Sequence, residues 1–380
     1  MTNKILLSSP HMDGSEQKYV KEAFDTNWIV PMGENINRFE NDLEEYIGSN
    51  SKIACLSSGT SAIHLALVLA CVKPNDEVIC QSMTFSASAN PIIYLGAKPV
   101  FVDSEEDTWN MCPIALEEAV LEGIKMGVKP KAIIVVHLYG MPAKMEAIVA
   151  ISKKYEIILI EDSAESLGSS FKGSKCGSFG DYSILSFNGN KIITTSGGGA
   201  LICKTSEQKN KAVFLATQAK DDAIHYQHSE IGYNYRMSNV LAGIGRGQME
   251  VLDKHINLRR DNNKFYQNLF KNIKFVKVHK EYSPDYFSNH WLTCIIINEK
   301  KSNFNKDELR LALKKENIES RPLWKPLHLQ PIFSSYKFYG KNICENLFNT
   351  GLCLPSGSNL SKYEKSRIAN VIKSFYNVIK

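Results

Sequence analysis

No run of apolar residues in the sequence is long enough to cross a bilayer. The longest, such as 132–136 and 156–160, have the length of a strand, whereas a spanning helix needs about 20 residues. The opening stretch, MTNKILLSSPHMDGSE, lacks the apolar core of a cleaved leader. Basic residues are not massed either. The net charge is only +5, and no dense Lys/Arg stretch is interleaved with aromatics, so neither nucleic acid nor membrane insertion is expected. Cys-x-x-Cys pairs are absent. The nine cysteines, at 55, 71, 80, 112, 176, 203, 294, 344 and 353, are odd in number and scattered, which fits reduced thiols and a cytoplasmic protein. His225 and His228 have no second ligand pair nearby, so no metal is expected. Internal repeats and low-complexity segments are also missing.

What is present is ordinary globular material, 43% hydrophobic and 22% charged, in a chain of 380 residues that is long enough for two cores. Short apolar strands alternate with turns and amphipathic helices from residue 52 to about 219. Strands this apolar are covered on both faces, so the expected fold is α/β with a mostly parallel sheet sandwiched by helices. A smaller α/β part follows, with a strand at 288–297 and helices at 306–316 and 362–379. The join is placed between 257 and 272, dividing the chain into 1–256 and 257–380. Helices are also expected at 13–25, with Tyr19, Val20, Ala23 and Phe24 on the packed face, and at 240–255.

The chemistry centres on the stretch 186–199, SFNGNKIITTSGGG. Its glycines and β-branched residues make a poor helix. A lysine used as a nucleophile needs a tightly shaped pocket, and Lys191 sits among small residues that let a ligand approach the backbone. Upstream, a strand runs into Ser58, Gly59 and Thr60 at the start of a helix, where unpaired N–H groups and the helix dipole favour an anion. Asp162 ends another strand, at the edge where such sheets bind ligands. Ser186 precedes the lysine, and Phe85 offers a flat face. A phosphorylated pyridine aldehyde asks for these parts: an amine, a carboxylate for the ring nitrogen, phosphate donors and a stacking ring.

The motifs TFSASANPI, EDSAESLGS, SFNGNK with its Gly-rich run, and YNYRMSN, in this order, resemble the DegT/DnrJ/EryC1/StrS sugar aminotransferases of pyridoxal-phosphate fold type I. The PHM near the N-terminus and ESRPLWKPLH resemble the bacillosamine-type 4-aminotransferases of that family. The resemblance implies pyridoxal 5'-phosphate as cofactor, joined to Lys191 as a Schiff base. Lys191 would also move the proton between substrate and cofactor carbons, and Asp162 would pair with the ring nitrogen. Phe85 would stack on the ring, and Ser58, Gly59, Thr60, Ser186 and Asn188 would line the phosphate side. Asn239 would reach the phosphate of a neighbouring subunit in a homodimer with shared active sites. Glu165 stands where many relatives have Gln, beside the ring hydroxyl; two such groups repel unless they share a proton.

The implied substrates are glutamate and UDP-4-keto-6-deoxy-N-acetylglucosamine, with a galacto product or another nucleotide as the alternative. The sugar nucleotide is expected along Asn27, Trp28, Ile29, Ser58, Asn234 and Arg236, with Arg321, Lys325 and His328 on a proline-stiffened loop to meet the diphosphate. Dehydratase relatives carry His where this chain has Lys191, which argues for amino transfer. A non-catalytic sensor has no use for Lys191, Asp162 and Ser186 together.

Overall fold

The computed structural model describes residues 3–48 and 50–379. Nine strands arise in the first two-thirds of the chain: β1 (Lys52–Leu56), β2 (Glu77–Gln81), β3 (Lys98–Val102), β4 (Ala132–Val136), β5 (Ile158–Asp162), the short β6 (Ser170–Phe171) and β7 (Ser174–Lys175), β8 (Tyr182–Ser186) and β9 (Gly199–Cys203). Nine α-helices accompany them: α1 (Glu16–Asp25), α2 (Glu34–Ile47), α3 (Gly59–Leu69), α4 (Asn90–Tyr94), α5 (Pro113–Lys125), α6 (Met145–Tyr155), α7 (Ser206–Ala216), α8 (Asn239–Glu250) and α9 (Leu252–Phe270).

The main sheet has the order β1-β9-β8-β5-β4-β2-β3, closed by the late strand Phe338–Tyr339. All neighbours are parallel except those of β9, which doubles back between β8 and β1. Side chains alternate across the pleat. Val78, Ile134, Ile160 and Ile184 pack on one face with Leu65, Ile92 and Leu215 of α3, α4 and α7. Ile79, Ile133, Val135 and Leu159 pack on the other with Leu116, Val120 and Ile148 of α5 and α6. Burying both faces explains why these strands read as unbroken apolar runs. Fold type I, a mostly parallel sheet between helix layers, is thus the observed architecture.

The C-terminal third forms a four-stranded sheet in the order Val276–Val278, Thr293–Ile297, Gly351–Leu354, Arg321–Pro322. Leu309 and Leu313 from Lys306–Lys315, Ile368 and Ile372 from Lys362–Ile379, and Tyr266 and Phe270 of α9 close its core. The two halves are laced together. Ile5 bridges to Ile318 and lies in the smaller core. Asp103, just after β3, accepts N–H bonds from Lys341, Ile343 and Cys344, which fixes the segment that carries Phe338–Tyr339 back to the main sheet.

Three local expectations change. The helix read over 240–255 is broken at Val251 (φ −116, ψ 6), so α8 ends and α9 begins there. The strand read from 288 starts only at Thr293, because Asn289 turns inward to donate to the carbonyls of Glu165 and Leu167. Phe24 is 61% exposed, while Glu16 of the same helix is buried, accepting from Gly14 N–H and Gln248. Among the described residues no helix is long and apolar enough to cross a membrane, and the nine cysteines are free thiols.

Candidate active site

A cavity of about 330 Å³ opens at the carboxyl ends of the central strands. Lys191, Asp162, Glu165 and Phe85 line it, as do Ser58, Gly59 and Thr60 on the α3 side and Ser186 and Asn188 on the β8 side. The expected cofactor residues, Asn239 apart, therefore share one cavity.

The lysine segment has no helix or strand between Ser186 and Gly199. It closes on itself at Phe187, whose N–H donates to Gly198 O (2.9 Å) and whose carbonyl accepts from Thr195 N–H (3.0 Å) and Thr194 Oγ1 (3.2 Å). The Gly-rich run is needed for close approach: a Cβ on Gly199 would lie 2.3 Å from Gly59 N and 2.4 Å from Ser58 C. Gly199 thus seats the lysine loop against the turn that opens α3. There Ser58 accepts from Ser61 N–H in a capping box, which leaves the N–H groups of Gly59 and Thr60 as the first-turn donors without intrahelical partners. Ser186 lines the cavity beside them, and a Cβ on Gly59 would be 3.1 Å from Ser186 Cβ. This is an anion cradle.

Lys191 Nζ lies 4.2 Å from the centre of the Trp291 ring and 3.5 Å from Glu165 Oε1. Trp291 is itself fixed, donating from Nε1 to Asn190 O (2.7 Å). Arg259, fully buried, binds the carbonyl of Trp291 (2.7 Å) and that of Lys191 (3.4 Å). Burial pushes the Glu165 carboxyl above its ordinary range, against the nearby Lys191 charge and the bond from Tyr139 N–H (2.7 Å). Asp162 is likewise pushed up by burial, partly offset by its bonds from Ser88 Oγ (2.7 Å) and Ala164 N–H (3.2 Å). A buried carboxylate with so few donors suits a cationic ligand atom. Phe85 is 52% exposed, with its ring 5.4 Å from that of Trp324.

Other expected residues stand elsewhere. Arg236 is drawn into a buried pair with Glu40 and donates to Cys55 O (3.0 Å), so it is no free cation for a diphosphate. His328 is also engaged, stacked on Phe338 at 3.7 Å with Nδ1 2.7 Å from Ser82 Oγ and Nε2 3.2 Å from Glu345. Asn239 is buried, with Oδ1 accepting from Ile36 N–H (3.3 Å) and Nδ2 donating to Trp28 O (2.9 Å). Its side chain thus pins the 28–36 segment of its own chain. Trp28 and Ile29 are about half exposed and, like Asn27 and Asn234, do not line the cavity. Arg321 and Lys325 are exposed, with Arg321 paired to Glu319 (2.8 Å).

Sequence reasoning passed over Ser88, Trp291, Trp324 and Arg259. TFSASANPI contains Ser88, but six small or polar residues there leave no way to rank it; the tryptophans and Arg259 reach the site only through tertiary packing. Among the described residues two groupings resemble metal ligand sets. In one, Glu161 is already filled by backbone N–H groups; in the other, the His11 and His255 rings are stacked (14°, 4.6 Å).

The sequence profile of the DegT/DnrJ/EryC1/StrS aminotransferase family matches residues 10–373. The chain belongs to that family. EpsN of Bacillus subtilis is 50% identical, covering 100% of this chain and 97% of its own. GDP-perosamine synthase of Escherichia coli O157:H7 is 38% identical, covering 98% of this chain and 99% of its own. Among solved structures, the Spr1654 sugar aminotransferase of Streptococcus pneumoniae in a PLP form superposes with a TM-score of 0.90 at 25% identity, covering 100% of both chains. The family's aminotransferase chemistry agrees with an amine, a buried carboxylate and an anion cradle in one cavity.

Proposed function

We propose that the protein is a pyridoxal-phosphate-dependent sugar aminotransferase that moves the amino group of glutamate onto the C4 carbonyl of a 4-keto-6-deoxy nucleotide sugar. The observation that carries this reading is that Lys191 and Asp162 line the same cavity as the first turn of α3. When bound, pyridoxal phosphate supplies an aldehyde that accepts the amine and a ring that holds the electron pair left when a carbon loses its proton.

Around it the chain's own groups have separate tasks. The N–H groups of Gly59 and Thr60, with Ser186, would hold the phosphate. Asp162 would accept a hydrogen bond from the ring nitrogen. Phe85 would cover the ring, and Trp291 and Glu165 orient Nζ of Lys191, which would take and return the proton. Burial pushes the Glu165 carboxyl up, which favours a proton shared with the ring hydroxyl over repulsion between the two.

The substrate favoured by the ESRPLWKPLH and SFNGNK resemblance is UDP-4-keto-6-deoxy-N-acetylglucosamine. The Escherichia coli relative is named for a GDP sugar, which makes the base the point to test. Arg321 and Lys325, on the segment that carries Trp324 to the cavity, meet the diphosphate. Residues 1–256 form the cofactor-binding domain and 257–380 the smaller one. The protein works in the cytoplasm as a homodimer, with the exposed Trp28, Ile29 and Met32 facing the second copy.

The test is turnover of purified protein with glutamate and either the UDP or the GDP 4-keto-6-deoxy sugar. NMR of the product reads the configuration at C4. Transfer to the UDP sugar supports the reading, transfer only to the GDP sugar replaces the base, and transfer to neither overturns it.

A further inference from the structure

We propose that Ser88, backed by Thr84, is the positioning residue that keeps Asp162 a carboxylate aimed into the cavity. This inference rests on the reading above, in which Asp162 accepts from the ring nitrogen. Asp162 is 4% exposed, and its oxygens have different partners. Oδ1 accepts from Ala164 N–H at 3.2 Å, a bond within the turn that follows β5. Oδ2 accepts from Ser88 Oγ at 2.7 Å, a bond from 74 residues away and the only side-chain donor found on this carboxylate among the described residues.

The protons of this chain can be assigned. Ser88 has one hydroxyl proton, and an ionised carboxylate only accepts, so that proton points at Oδ2. The contact of 3.0 Å between Ser88 and Thr84 is then made with the Thr84 proton, and the order is Thr84 to Ser88 to Asp162. Both residues are almost fully buried, at the wall of the cavity that Asp162 faces. Each donor in such a relay polarises the next.

The other titratable groups that bear on Asp162 do not do this work. Lys191 acts on it through charge, Glu165 repels it, and the Cys80 thiol is held above its ordinary range by burial. Without Ser88, the carboxylate has one turn N–H against the full desolvation of a buried anion. The proton shared with a bound pyridine nitrogen then moves towards Asp162, and the ring loses its cationic form.

The test uses holoenzyme reconstituted with ¹⁵N-labelled pyridoxal phosphate, with the nitrogen resonance read at fixed neutral pH. Wild type is expected at the pyridinium position, Ser88→Ala displaced towards neutral pyridine, Ser88→Thr restored, and Thr84→Val displaced less than Ser88→Ala. In the apoprotein, ¹³C-labelled Asp162 of Ser88→Ala should titrate about one pH unit higher, a tenfold change in proton affinity. If Ser88→Ala does not fold, Ser88→Cys keeps the volume with a weaker donor and is read in the same way. A wild-type resonance at the neutral position would defeat the Asp162 reading itself. A pyridinium in wild type that is unmoved in the folded Ser88 variants would defeat only the role of Ser88.

Discussion

Glu161 and Asp162 are consecutive residues on β5. Both are buried, and their side chains point to opposite faces of the sheet. Glu161 accepts from His137 Nε2 (2.7 Å), from the N–H groups of Gly177, Phe179 (2.9 Å) and Gly180 (3.1 Å), and from the hydroxyls of Ser183 (3.2 Å) and Ser163 (3.3 Å). His137 Nδ1 in turn accepts from Ala143 N–H (2.9 Å), so the ring is left to donate from Nε2. Burial alone pushes Glu161 up, yet these donors outweigh it and hold the carboxyl below its usual range. Asp162, with two donors, is held above its range. One carboxylate is complete within the chain and ties β5 to the turn at 177–180. Its neighbour is left short of partners and faces the cavity. Incomplete satisfaction of a buried charge, more than burial, marks the working face.

The largest effect should come from removing the cavity's amine. Lys191→Ala is expected to lower turnover by about a thousand-fold or more while still binding the cofactor. Borohydride reduction followed by peptide mapping should label Lys191 in the parent protein and nothing in the variant.

Asp162→Asn breaks the contrast on the cavity side. Turnover should fall by about a hundred-fold or more, because the ring nitrogen loses its anionic partner. The apoprotein should become more stable at neutral pH, by about 2 °C or more in melting temperature. The sign follows from linkage. Asp162 and Glu165 are raised in the folded chain, so it binds more protons than the unfolded chain just above the ordinary carboxylate range, and stability falls as pH rises through that window. Melting curves across that range should fall less steeply in the variant; a variant that melts lower than wild type at neutral pH would give Asp162 a structural role.

On the opposite face, Glu161→Gln should destabilise by about 3 kcal/mol or more, since an amide cannot accept from every donor aimed at that carboxylate. Turnover per folded molecule should stay near the wild-type rate. Glu161 is lowered in the folded chain, so its contribution is present above the ordinary carboxylate range and fades as pH falls towards its folded value. Denaturant titrations at two pH values read both effects.

The smallest change is expected at an exposed ion pair. The Arg321 side chain is 68% exposed, and its pair with Glu319 is worth less than about 1 kcal/mol, so Arg321→Ala should leave stability nearly unchanged. A raised KM for the sugar nucleotide, with kcat unaltered, would keep Arg321 in the diphosphate site. Unchanged constants for both substrates would remove it.

The sequence alone determined the α/β sandwich, because strands buried on both faces must be apolar throughout while their covering helices keep a 3.6-residue period. It also determined the parts whose chemistry is local: Lys191 in a loop too rich in glycine to be helical, the Ser58-Gly59-Thr60 turn at the head of α3, and Asp162 at a strand end. Tertiary structure decided what each polar side chain meets. Arg236 and His328 looked like free cations, but Glu40 lies 196 residues from the first and Ser82 246 residues from the second. Sequence spacing carries no trace of such pairings. Glu161 and Asp162 show the same division within one strand, since the alternation of faces is written in the chain, while the number of donors on each face is set by segments that arrive from far along it.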